Sequence, residues 1–195
     1  MGLSDRRLAT RLLRGDRQAC GELIRRHHAG VYGYLRRLGA DPASAEDLTQ
    51  ETYAKAWRNM GVLREAASLR SWLLSIARNE YFQWLRARSK EPALAAEPPD
   101  SAADGPDPEE AVALEERDLL VRRAVVKLEP DLRELVALHY FQGLSLKEVG
   151  AVTGIPAGTA KSRIHRALDR LRALLKPMEA EHEERRAGTA LADGP

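Results

Sequence analysis

The sequence predicts an all-α fold built as two small helical domains, and three observations support this prediction. Apolar residues recur at spacings of three and four along much of the 195-residue chain, which is the period of one face of an α-helix. Capping residues, prolines and glycines stand where these periodic stretches begin and end. No stretch alternates strictly between apolar and polar residues, so half-buried β-strands are not expected.

A proline-rich acidic stretch divides the chain. Residues 91–108 contain five of the ten prolines and five acidic residues, and they contain no basic residue. Proline disfavours helix, and a stretch with so little apolar surface cannot offset the entropy lost on ordering. We therefore predict a first domain at residues 1–90, a flexible acidic linker at 91–108, a second domain at 109–176 and an acidic tail at 177–195.

Three helices are predicted in the first domain. The first covers residues 18–39 and carries His27 on its inward face, where a core histidine is expected. The second covers about residues 42–59, because Asp41 is a suitable N-cap and a proline occupies the first helical position. The third covers about residues 68–88.

The second domain has clear signals for helix ends. It is predicted to contain four helices, at about residues 109–128, 130–143, 146–154 and 159–176. Ser145 and Glu148 have the spacing of a capping box at the start of the third of these helices. Gly154 permits a left-handed cap at its end. A short capped helix, a turn with glycine and a long second helix together predict a helix-turn-helix.

Charge is strongly segregated along the chain, although the total is only +2. Residues 1–90 carry a net charge of +8 and residues 117–176 carry +6. Residues 91–116 carry −9 and residues 177–195 carry −3. Two basic blocks separated by an acidic one favour nucleic-acid binding.

The last predicted helix carries a basic stripe. Thr159, Arg163, Arg166 and Arg170 lie on one face, and residues 155–176 contain six basic residues against one acidic residue. A helix fits the major groove of duplex DNA, where arginine pairs with guanine or contacts phosphate. The alternative is a solvated charged face. The capped turn just before the helix favours the DNA-reading hypothesis.

The third helix carries a second polar stripe with aromatic residues interleaved. The stripe consists of Asn79, Gln83, Arg86 and Lys90, and the aromatic residues are Tyr81, Phe82 and Trp84. Such a surface suits single-stranded nucleic acid, because bases stack on rings while phosphates meet cations. The alternative is that Trp72 and Trp84 belong to the core with arginine at its rim, and we expect Trp72 in the core.

The second helix has an acidic face in an otherwise basic domain. Asp47, Gln50 and Glu51 share this face, and Leu48 lies on the opposite, apolar one. An acidic face is an unsuitable DNA surface. It is either an ordinary solvated face or a docking site for a basic protein partner.

No pattern of residues indicates catalysis or cofactor binding. The five histidines show no metal-ligand spacing, and the single cysteine, Cys20, excludes both a CxxC motif and an intrachain disulfide. No apolar run has the length of a membrane span, and the charged N-terminus does not resemble a signal peptide. We expect a cytoplasmic protein that is not an enzyme, has no cofactor and does not insert into membranes.

Three stretches resemble the extracytoplasmic-function (ECF) sigma factors of bacterial RNA polymerase. They are residues 45–53 (AEDLTQETY), residues 71–79 (SWLLSIARN), and residues 143–149 with 158–163 (GLSLKEV and GTAKSR). They occur in the family's order, and the resemblance covers about residues 8–90 and 110–176. It implies a sigma-2-like helical bundle followed by a sigma-4-like helix-turn-helix.

The resemblance also implies roles for particular residues. The core-polymerase contacts would be Asp47, Leu48, Gln50 and Glu51. The −10 element contacts would be Arg78, Asn79, Gln83 and Arg86. The −35 element contacts would be Thr159, Lys161, Ser162, Arg163 and Arg166. The loop at residues 60–68 would capture a flipped −10 base. The implied partners are core RNA polymerase, through its clamp and flap, promoter DNA and an anti-sigma factor.

Two other functions remain compatible with the residue patterns alone. One is a stand-alone helix-turn-helix regulator that binds duplex DNA without polymerase. The other is a helical protein-interaction module that does not bind DNA.

Overall fold

The computed structural model describes residues 5–62, 69–88 and 120–192, with side chains described up to Met178. Every regular element in these ranges is helical, as the sequence predicts. The helices are α1 (Asp5–Leu13), α2 (Arg17–Leu38), α3 (Pro42–Arg58), α4 (Leu69–Arg88), α5 (described over residues 120–126), α6 (Pro130–Val136), α7 (Leu146–Thr153) and α8 (Ala157–Ala192). A 3₁₀ turn, Met60–Val62, follows α3, and a π-helical turn, Ala137–Phe141, continues α6.

The helices begin where local side-chain chemistry predicts. The Asp41 carboxylate accepts a hydrogen bond from the backbone N–H of Ser44 at the start of α3. Ser145 and Glu148 form both bonds of the predicted capping box at the start of α7. That helix ends at Gly154, whose φ of +77° is left-handed. The predictions for α2, α3, α4 and α7 are therefore confirmed to within a few residues.

Two features of the helices differ from the prediction. Helix α1 was not predicted, although Leu8 and Leu12 are fully buried at a spacing of four. Helix α8 was expected to end at about residue 176, but it continues through Pro177 to Ala192. An internal proline removes one backbone hydrogen bond, and the glutamate-, alanine- and arginine-rich residues after it favour helix strongly enough to continue. The predicted linker at residues 91–108 lies outside the described residues, and the domain limits stay predictions.

A single hydrophobic core joins the two halves of the chain. Tyr34 and Leu35 from α2 and Leu73 from α4 lie in the same buried cluster as Leu135 from α6 and Val149 from α7. A second cluster lies within the C-terminal half, where α5, α6 and α8 pack together. The C-terminal half therefore has a core of its own and also completes the core of the N-terminal half.

An ion pair fixes the packing of α3 on α4. The Lys55 ammonium donates to both carboxylate oxygens of Glu80, at 2.7 and 2.6 Å. Glu80 is 6% exposed, so water contributes little to its solvation and the lysine supplies the compensating charge.

No helix within the described ranges is both long and apolar enough to span a membrane.

We predict that Ser145→Ala lowers the free energy of unfolding by about 1 kcal/mol, which is typical for loss of an N-cap hydroxyl. Urea denaturation followed by circular dichroism measures this change. Ser162→Ala, at an exposed position within α8, is the matched control and should change the free energy little. Equal effects of the two substitutions would contradict the assigned cap.

A second prediction concerns His27. Burial lowers the pKa of this imidazole below its ordinary value of 6.5; Arg26 and Arg70 act in the same direction, and Asp5 opposes them. Because the unfolded chain then binds the proton more readily, the free energy of unfolding should fall as the pH is lowered from about 7.5 to about 5.5. His27→Gln should reduce this fall, as measured by urea denaturation at both pH values. His28→Gln, at the more exposed neighbouring position, should preserve it.

Candidate nucleic-acid and protein interfaces

Helix α8 presents the predicted basic face to solvent. Lys161, Ser162 and Arg166 are exposed, and Thr159 and Arg163 are half-buried at the edge of the same surface. The opposite side carries Ala160, Ile164, Ala167 and Leu171, which are buried against the preceding helices. The apolar side therefore holds α8 in place while the basic side stays available to the major groove of DNA.

The acidic Asp131 lies beside the basic face. Its Oδ2 is 3.6 Å from an Arg163 guanidinium nitrogen and 3.9 Å from one of Arg166. Both arginine side chains are at least 41% exposed, so these contacts are weak in water and a phosphate could replace the carboxylate.

Gly150 has a structural role that sequence reasoning missed. It lies in α7, and a Cβ built at this position would be 2.6 Å from the backbone oxygen of Ile155 in the turn that leads to α8. Only glycine permits this close approach. The sequence of α7, LKEVGAVT, gave no distinct signal for it, because the clash arises with the following turn.

Helix α4 presents a polar groove of about 420 Å³. Its lining consists of Arg78, Asn79, Phe82, Gln83, Leu85 and Arg86. Asn79, Gln83 and Arg86 are exposed, so three of the four predicted strand-binding residues share one accessible surface. Amide and guanidinium groups beside an aromatic ring can bind an unpaired base and its phosphate.

Arg78, the fourth predicted residue, is already engaged. Its Nε donates to Glu134 Oε1 at 2.6 Å, and its guanidinium carbon lies 4.9 Å from the Phe82 ring centroid. Glu134 belongs to α6, in the other half of the chain.

The aromatic residues of α4 do not all face the groove. Tyr81 is 6% exposed, and its hydroxyl donates to the Leu38 backbone oxygen at 2.6 Å, so it is a core residue. The prediction that the Tyr81 ring lies among the polar residues and offers a stacking surface is therefore wrong. Trp72 and Trp84 are partly buried against the core, with Arg88 5.2 Å from the Trp84 ring centroid. Residues 63–68 of the predicted base-capturing loop lie outside the described residues.

The acidic face of α3 is present at the surface. Asp47 and Gln50 are exposed, and Glu51 accepts a hydrogen bond from the Arg58 guanidinium at 2.7 Å. Leu48 was predicted with them as a contact residue. It lies on the buried side of the helix with 8% exposure, as its predicted position on the apolar face requires.

Trp57 is a surface residue of α3 that sequence reasoning missed. It is 51% exposed, and it lies two helical turns after Gln50 on the same side of the helix. A large exposed indole is unusual and is typical of binding hot spots. Its position seven residues after Gln50 was a signal that could have identified it.

The described residues contain no cluster of three or more histidine, cysteine, aspartate or glutamate side chains arranged to hold a metal ion.

Two family models match separate parts of the chain. Residues 23–91 match Sigma-70 region 2, and residues 118–171 match Sigma-70, region 4. The RNA polymerase sigma-H factor of Pseudomonas aeruginosa is 31% identical over 91% of this chain and 96% of its own length. The RNA polymerase sigma factor CarQ of Myxococcus xanthus is 36% identical over 86% of this chain and 95% of its own length.

Two solved structures are similar over most of the chain. One is CnrH in complex with the cytosolic domain of CnrY, with a TM-score of 0.67, 26% identity, and coverage of 89% of this chain and 97% of that chain. The other is the sigma factor RpoE in complex with the anti-sigma factor NepR from Bartonella quintana, with a TM-score of 0.66 and 28% identity. That match covers 80% of this chain and 96% of the other.

We predict that Arg163→Ala weakens binding to duplex DNA and lowers the salt dependence of log affinity by about one unit of slope, as expected for one lost phosphate contact. Fluorescence anisotropy over a series of salt concentrations measures both quantities. Arg172→Ala removes the same charge more than two helical turns further along α8, where Arg172 pairs with Asp169 at 2.6 Å. This control should retain the wild-type slope, and equal losses for both variants would contradict the assigned face.

Proposed function

The chain belongs to the extracytoplasmic-function (ECF) family of RNA polymerase sigma factors, and we propose that it binds core polymerase and directs it to promoters. As a sigma factor it acts in the initiation of transcription. The observation that carries the proposal is that one chain combines a basic helix-turn-helix surface with two further exposed surfaces, one polar and one acidic. A stand-alone regulator requires only the first of these three.

The basic face of α8 is proposed to read the −35 element as duplex DNA. Lys161, Ser162 and Arg166 are exposed at the start of this helix, next to the turn that follows α7. In helix-turn-helix proteins the first residues of the second helix contact base edges. Thr159 and Arg163 flank them and are proposed to contact the base edges and the phosphates beside them.

The groove of α4 is proposed to hold the non-template strand of the −10 element. Asn79 and Gln83 offer both donors and acceptors to the edge of an unpaired base, and Arg86 offers a cation to the backbone. Extruding a base from the duplex costs a few kcal/mol, which polymerase binding and these contacts would have to supply. Arg78 is proposed to join this surface once Glu134 has released it.

The acidic face of α3 is proposed to dock on the polymerase clamp. Asp47 and Gln50 form its exposed polar part, and Trp57 adds an aromatic anchor beside them. Leu48 is proposed to support this face through packing, because it is buried in the core beneath it. Glu51 retains an acceptor oxygen for the partner although Arg58 contacts it.

An anti-sigma factor is the proposed regulator. RpoE of Bartonella quintana, a structurally similar protein, was solved in complex with the anti-sigma factor NepR. Likeness over 96% of that chain supports a regulator of the same kind here.

The proposal predicts that Asp47→Ala with Gln50→Ala weakens binding to core polymerase by about tenfold or more, which corresponds to about 1.4 kcal/mol. The physical reason is the loss of charge and hydrogen bonds at the centre of the docking surface. Binding is measured with fluorescently labelled chain and purified core enzyme. Transcript starts are then mapped on a genomic promoter library in the presence of wild-type or variant chain.

The wild-type chain should produce new transcript starts, and the double variant should produce few. Glu129→Gln, at an exposed position in the other half, is the control and should support transcription as the wild type does. A wild-type chain that gives no new starts would sink the proposal. If the double variant still binds duplex DNA and acts without binding polymerase, the chain is a stand-alone regulator.

A further inference from the structure

Glu134 is a buried carboxylate whose partners lie in the other half of the chain. It is 4% exposed in α6. Its Oε1 accepts hydrogen bonds from Arg78 Nε at 2.6 Å and from the Tyr34 hydroxyl at 3.1 Å, and its Oε2 is 3.5 Å from Arg78 Nη2. Tyr34 is fully buried in α2. One acidic side chain therefore connects α6 with both α2 and α4.

This arrangement commits the guanidinium of Arg78. Two of its nitrogens face Glu134, and one face of the group lies over Phe82. Burial raises the pKa of Glu134, whereas the hydrogen bond and charge of Arg78 lower it. A buried carboxylate without its cation is strongly disfavoured, so loss of the pairing with Arg78 shifts the balance from the closed towards the open arrangement. The same nitrogens cannot simultaneously bind a phosphate or a base.

Two further polar contacts set the register of the closed arrangement. Arg133, next to Glu134, donates to the Leu38 backbone oxygen at 2.9 Å. Gln142 directly follows the π-helical turn; its amide donates to the Gly30 oxygen at 2.9 Å and accepts from Arg70 at 3.1 Å. A Cβ at Gly30 would approach Gln142 to 3.2 Å. The contact between the two halves is therefore specific in its geometry.

The closed arrangement leaves the acidic face of α3 accessible. Asp47, Gln50 and Trp57 are exposed, so a polymerase could bind this face before the two halves separate. Asn79 and Gln83 are exposed as well. Among the predicted strand-binding residues, Arg78 is the one that is bound to Glu134 and is therefore not available to DNA.

We propose that Glu134 is an intramolecular competitor of DNA for Arg78. In the free chain, Glu134 and Tyr34 hold the C-terminal half against α4 and lower the affinity for single-stranded DNA. Polymerase docks on the exposed α3 face, the halves separate, and Arg78 becomes available to the strand. This inference rests on the proposed function where it takes Arg78 to be a strand contact. The inference that Glu134 holds the two halves together does not depend on the proposed function.

The test compares Glu134→Gln with Glu129→Gln in the full chain. Both substitutions remove one negative charge from the same half, but only the first is at the contact between the halves. Spin labels are attached at Gln18→Cys and Ala173→Cys, two exposed positions, in a Cys20→Ser background. Pulsed electron–electron double resonance measures the distance between the two labels. The distance distribution should be longer and broader for Glu134→Gln and should match the wild type for Glu129→Gln.

The second measurement is the affinity for a short fluorescein-labelled single-stranded DNA of randomised sequence. Glu134→Gln should bind about fivefold more tightly than Glu129→Gln, because apparent affinity scales with the fraction of competent, open chain. Arg78→Ala should also open the chain, since it removes the same ion pair. It should not bind the strand more tightly, because the released residue is gone.

Tyr34→Phe is a second variant that should open the chain, to a smaller extent than Glu134→Gln. It keeps the ring in the core and removes one hydrogen bond to Glu134, so it should shift the distance and the affinity in the same direction by a smaller factor. Unchanged distances in both Glu134→Gln and Tyr34→Phe would overturn the proposal. An opened chain with no gain in affinity for the strand would overturn it as well.

Transcription by the reconstituted holoenzyme separates this proposal from the proposed function. If the wild-type chain produces new starts while Glu134→Gln leaves the distances unchanged, only the competition by Glu134 is wrong. If the wild-type chain produces none, the sigma-factor activity fails, and the distance measurement still decides whether Glu134 closes the chain.

Discussion

The need of one buried carboxylate for a cation determines how the two halves of this chain are arranged. Glu134 is almost completely removed from water, at 4% exposure, and an unpaired charge there would cost several kcal/mol. Arg78 and Tyr34 are the groups that satisfy it. The apolar contacts between the halves would tolerate small displacements, but the short bonds to a single carboxylate do not. Directional bonds therefore set the register, and apolar burial supplies most of the driving force.

The binding surfaces are also held in place by apolar burial together with specific polar contacts. Helix α3 is attached to α4 by the apolar residues between them and by the pair formed by Lys55 and Glu80. Leu48 supports the acidic face from inside the core, where it is 8% exposed. On α8, buried Ile164 plays the corresponding part for the basic face. Each proposed contact surface is thus the outer side of a helix whose inner side is fixed in a core.

The sequence predicted which face of each binding helix is exposed more reliably than it predicted whether an individual residue is buried. Helical spacing correctly placed Asp47 and Gln50 at the exposed face of α3 and Asn79 at the exposed face of α4. It could not show that Tyr81 turns into the core, because a tyrosine is compatible with either side of an amphipathic helix. Trp57 was missed for the related reason that a hydrophobic residue is expected inside. Exposure of an aromatic side chain is decided by what packs beside it.

The sequence by itself determined most of the helices, the caps of α3 and α7, and the family of the protein. Ser145 and Glu148 are three residues apart, so their mutual hydrogen bonds depend on local geometry that any context would permit. The tertiary structure alone decided that Arg78 meets Glu134, a residue 56 positions away. No spacing rule links two such residues, since their distance depends on how α4 and α6 bury their apolar faces together. The pairing of a predicted DNA contact with an acidic side chain could therefore emerge only from the folded chain.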